Sequence, residues 1–64
     1  MTKKQFFKKC EIAKRTGCAL LSDGDHLYCY EKGYGVEYSV RSHWKDQTIM
    51  VSYSPEKIYN TLYK

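Results

Sequence analysis

Every connection in the middle of this chain is short, and that limits its fold more than any other feature. Between Gly17 and Ser54, four segments (18–22, 26–31, 36–44 and 48–53) are rich in apolar and aromatic residues at strand period. Only Asp23-Gly24-Asp25, a turn around Gly33-Tyr34-Gly35, and Lys45-Asp46-Gln47 stand between them. A parallel crossover needs about a dozen residues or more, so neighbouring strands must run antiparallel, as a meander.

Asp23-Gly24 is the strongest short hairpin signal. A two-residue turn there sets Leu20 against Leu27 and Cys18 against Cys29. A bridge is conceivable from that pairing, but the cysteines occupy a hydrogen-bonded pair with Cα atoms about 5.5 Å apart, where side chains are less close than in the alternate pairs. The odd count of three cysteines, without secretory context, points instead to free buried thiols. Alternation places Leu20, Leu27, Cys29, Val36, Tyr38, Val40, Ile49, Val51 and Tyr53 on a core face. Leu21, His26, Tyr28, Tyr30, Glu37, Ser39, Arg41, His43, Met50 and Ser52 fall on the opposite face.

A helix is expected on each side of the strands. Thr2 is an N-cap with Gln5 three residues on, the capping-box spacing, and Met1 is placed to staple onto Phe6. Gly17 ends the helix over 3–15, and Lys14 and Arg15 suit its negative end. Lys3 and Lys4 stand at the wrong end, where each costs about 0.3 kcal/mol or more. Phe6, Cys10 and Ala13 share a narrow apolar face with Phe7 at its edge. Lys4, Lys8, Glu11 and Arg15 form a stripe on the far side, with Ile12 nearer to it than to the core. Ser54-Pro55-Glu56 opens the second helix, which runs to about Tyr63, with Ile58/Leu62 and Tyr59/Tyr63 at i,i+4 spacing. The expected architecture is α+β: a single domain over 1–64 in the order α-β-β-β-β-α, a four-stranded antiparallel meander with both helices on one face.

Function is less constrained. A chain of 64 residues forms a marginal core and leaves little room for a deep catalytic pocket, so no enzyme is expected. Ten aromatic residues and a single proline exclude a disordered chain. Gly33-Tyr34-Gly35 lacks the rest of a phosphate loop. Asp23-Gly24-Asp25-His26 lacks the later ligands of a calcium loop, and His26 and Cys29 have opposite strand parity. No metal or other cofactor is expected.

The charge is local. Residues 1–15 carry six of the eleven basic residues and one acid, a net of +5, whereas residues 16–64 carry a net of −1. Lys4, Lys8 and Arg15 line about 17 Å of helix at about 1.5 Å per residue, with Lys3, Lys9 and Lys14 in support. Such a stripe suits phosphates, so the leading expectation is a small non-enzymatic module that binds nucleic acid or a nucleoprotein complex. In that reading Ile12 is an apolar anchor. The plain alternative is a solvated face with a Glu11–Arg15 pair, part of the lysine excess reflecting an AT-rich genome.

A second expectation belongs to another class: a protein-binding inhibitor or regulator. Its contacts would be Tyr28, Tyr30, Arg41, His43 and Met50 on the open face, with loop residues Tyr34 and Trp44. The aromatic and basic residues there also resemble a base-stacking platform, against which Glu37 on the same face counts. Self-association through that face, as a homodimer, is compatible with either function. The Lys- and Tyr-rich, motif-free composition has the look of a phage or mobile-element accessory protein, a matter of composition and not of homology. No apolar run reaches the about 18 residues of a membrane span, and Lys8 and Lys9 interrupt any signal-like segment, so a cytoplasmic location is expected.

Overall fold

A computed structural model describes residues 1–22, 24–33, 35–42 and 47–63. The elements are α1 (Lys3–Thr16), β1 (Cys18–Leu20), β2 (His26–Lys32), β3 (Gly35–Ser42), β4 (Gln47–Ser52) and α2 (Pro55–Leu62). The strands form one antiparallel sheet in sequence order. The fold is therefore α+β with the order α-β-β-β-β-α, as the short connections require.

Local chemistry sets the helix ends. The Thr2 hydroxyl accepts from the Gln5 N–H at 3.2 Å, and the Gln5 side chain accepts from the Thr2 N–H at 3.0 Å. Two of the first-turn donors are thereby satisfied. Gly17 closes α1 at φ +96°, a left-handed conformation natural to glycine, and its N–H donates to the Ala13 carbonyl at 2.7 Å. Ser54 caps α2 by accepting from the Lys57 N–H at 3.3 Å, with Pro55 in the first turn.

Both helices cover the same sheet face. Phe6, Cys10 and Ala13 of α1 and Ile58 of α2 are buried with Ala19, Leu21, Leu27, Tyr38 and Val40. The rings of Phe6, Tyr59 and Tyr63 join the helices, with centroids 5.2–6.0 Å apart. Met1 packs against this core, and its carbonyl accepts from the Tyr59 hydroxyl at 3.3 Å.

The sheet departs from the expected register in two places. In the first hairpin Cys18 pairs with Tyr28, Ala19 with Leu27, and Leu20 with His26, one residue away from a two-residue turn. Asp23 lies outside the described residues, but the frame of the connection is clear. Leu21 N–H donates to the Asp25 carbonyl at 2.7 Å, and Gly24 N–H donates to the Leu21 carbonyl at 3.1 Å. The end of α1 fixes this register, because the Gly17 carbonyl accepts from the Cys29 N–H at 3.0 Å and extends the ladder. A one-residue slip turns every side chain over. Leu20, expected in the core, is 56% exposed, and Leu21, expected outside, is 1% exposed. Cys18 faces away from the helices and is exposed; Cys10 is buried and Cys29 half-buried, all three as free thiols.

The second departure is a β-bulge. Val40 pairs with Met50 and Arg41 with Thr48, leaving Ile49 as the extra residue. Met50, half-buried, packs against the core, whereas Ile49, Val51 and Tyr53 are 48%, 43% and 58% exposed. The faces of β4 are thus the reverse of those expected. Three consecutive apolar residues, Ile49-Met50-Val51, fit either parity, and the flexible methionine fills the inner position.

Candidate functional site

The outer face of α1 is organised as the sequence implies. Lys4, Lys8, Glu11 and Arg15 are exposed on the side opposite the buried Phe6, Cys10 and Ala13. Lys14 is exposed, and Lys9 is half-buried. Ile12 is half-buried against the core and lines a shallow depression with Lys8, Glu11, Lys14 and Arg15. Among the described residues, Glu11 makes no ion pair with Arg15.

Lys3 has a structural role. Its Nζ donates to Glu56 Oε1 at 2.7 Å and lies 5.9 Å from the centroid of the Phe7 ring. It therefore ties α1 to the first turn of α2. Hydrogen bonding to Lys3, and then its charge, hold the Glu56 carboxyl below the ordinary carboxylate value. Of the six cations singled out in the sequence, the structure sets Lys4, Lys8, Lys14 and Arg15 outward, recesses Lys9 and commits Lys3 to Glu56.

The sheet face away from the helices is the second surface. Cross-strand pairing places Leu20, His26, Arg41 and Thr48 in one row. Cys18, Tyr28, Ser39 and Val51 form the next, and Tyr30 and Glu37 a third. The Tyr53 ring lies over Gly35, where an added Cβ would stand 3.3 Å from it, tighter than ordinary contact. Partial burial, and then the charge and hydrogen bonding of Glu37, hold the Tyr30 phenol above its ordinary value. Glu37 Oε2 is enclosed without a hydrogen-bond partner among the described residues.

Tyr28, Tyr30 and Arg41 lie on this face as expected. Met50 does not, because the bulge turns it inward. Tyr34, His43 and Trp44 lie outside the described residues. Leu20, Ile49, Val51 and Tyr53 join the exposed set in place of Met50. Met50 and Ser52 alternate as well as Ile49 and Val51 do, and that competing pattern was the available signal.

A third group lies at the core. Burial pushes the Cys10 thiol up to about 12, with Cys29 nearby adding to the shift. Burial likewise raises Tyr38, with the Cys29 and Cys10 thiols contributing. A thiol held protonated at neutral pH is the opposite of an activated nucleophile. Among the described residues, no three His, Cys, Asp or Glu side chains cluster as metal ligands, and no helix is long and apolar enough to cross a membrane. Comparison with known protein families, curated proteins and solved structures finds no match to this chain.

Proposed function

We propose that this chain is a small binding module without catalytic activity. It engages nucleic acid, free or within a nucleoprotein complex, through the outer face of α1. The observation that carries this reading is the line of Lys4, Lys8 and Arg15, exposed opposite the buried face and not bridged to a carboxylate among the described residues. Lys14 extends the positive surface, and Ile12 supplies apolar contact between the cations. The partner would be a duplex or a structured nucleoprotein surface. Phosphates would be neutralised along one helix, with bound counterions released.

Fluorescence anisotropy with single-stranded DNA, duplex DNA and RNA at several salt concentrations tests the reading. Micromolar or tighter binding that weakens steeply with salt is expected. The triple variant Lys4→Glu, Lys8→Glu, Arg15→Glu should bind more weakly. Its slope of log affinity against log salt should be shallower by about 2–3, at about 0.9 per lost phosphate contact on duplex DNA. An unchanged slope in the folded variant, or no binding by the parent chain at low salt, would reject this interface.

A further inference from the structure

The sheet face away from the helices mixes polar residues with large exposed apolar ones. Leu20, Tyr30, Ile49, Val51 and Tyr53 are 43–58% exposed, and all lie outside the helix-covered core. Ile49, Val51 and Tyr53 lie together along β4 and its end, with Leu20 and Tyr30 across the polar middle of the face, and exposed apolar side chains gathered on one face mark an interaction site.

We infer that this face is the interface of a homodimer, in which two copies pack sheet on sheet with their β3 strands antiparallel. The distribution of charge selects a second copy as the occupant. Arg41 stands at one end of the face and Glu37 at the other, on the same strand, with Ser39 midway between them. A two-fold axis lying in the interface and crossing β3 at Ser39 exchanges the two ends. Arg41 of each copy then lies over Glu37 of the other, and Val51, paired with Ser39, meets its own symmetry mate. The same operation sets Tyr53 near Ile49 of the second copy, so apolar surface meets apolar surface at the β4 side.

Size agrees. Four strands about 4.8 Å apart and about six residues long at about 3.3 Å each present a face of about 400 Å² in projection. Two such faces with their side chains remove on the order of 1,000 Å² from water, the size at which a specific interface begins. Long-range charge does not oppose the contact. The net +5 of residues 1–15 lies mainly in α1, on the other side of the sheet, so pairing the sheets keeps the basic helices on opposite outer surfaces.

Sedimentation equilibrium over a wide concentration range, without nucleic acid, tests this independently of the nucleic-acid reading. A species of twice the 7.6 kDa chain mass is expected, dissociating on dilution. Val51→Lys adds a charge at an exposed position and should give a folded monomer by circular dichroism. Arg41→Glu and Glu37→Arg should each weaken association about tenfold or more, and the double exchange should restore it. A monomer up to millimolar concentration would overturn the proposal, whether or not some other protein binds the face. A dimer that persists in folded Val51→Lys would place the interface elsewhere. Failure of the double exchange to recover association, with both singles weakened, would overturn the antiparallel β3 arrangement.

Discussion

Cys10 couples one side chain to the stability of the whole chain. Its thiol keeps its proton up to about 12 in the folded state, against an ordinary value of 9.0. Above pH 9 the unfolded chain loses that proton and the folded chain does not, so folding becomes less favourable as pH rises. Each pH unit in that window costs up to about 1.4 kcal/mol. Cys29 and Tyr38 shift in the same direction and add to the alkaline loss. Thermal melts from pH 8 to 11 should show a falling limb that begins near 9. Cys10→Ala should flatten it, comparing slopes rather than midpoints because the truncation also leaves a small void. An identical limb in Cys10→Ala would show that the proton is released elsewhere.

Among the elements, α1 was legible because its signals are local: Thr2, Gln5 and Gly17 specify its ends within one turn. The order of the strands was legible because the connections are too short for alternatives. The faces of β1 and β4 were not. Leu20 and Leu21 are identical neighbours, and the pairing of β1 with β2, extended by the Cys29–Gly17 bond, decides which is buried. In β4, Ile49-Met50-Val51 offers both parities and the bulge selects one. Alternation alone therefore puts Met50 on the open face and Val51 in the core, the reverse of the structure, while it puts Tyr28, Tyr30 and Arg41 where β2 and β3 hold them. The basic line of α1 follows from helical period alone, but the pairing of Lys3 with Glu56 requires α2 to fold back, which no local pattern encodes. Alanine substitution reads the β1 register directly. Leu21→Ala should cost about 2–5 kcal/mol in urea denaturation, while Leu20→Ala should change stability by about 0.5 kcal/mol or less. Equal costs would contradict the register.

The molecule as a whole separates two chemistries across one layer of sheet. Charge gathers on the outer side of α1, and exposed apolar side chains gather on the sheet face turned away from it. The two proposed interfaces should therefore fail independently. Val51→Lys should abolish self-association while a single chain keeps the salt slope of its nucleic-acid binding. The Lys4→Glu, Lys8→Glu, Arg15→Glu variant should lose that slope and still sediment as a dimer. Loss of both properties in either variant, with the fold intact by circular dichroism, would mean that one surface serves both. The bulge at Ile49 has a consequence for how such a sequence changes over generations. Replacing Ile49 by another apolar residue leaves the bulge, the faces of β4 and an apolar contact in the proposed dimer in place. Deleting it would force the two strands on either side of the 43–46 connection to pair without their extra residue, turning over whichever part of β4 shifts. Descent should therefore preserve the length of β4 more faithfully than its spelling at position 49.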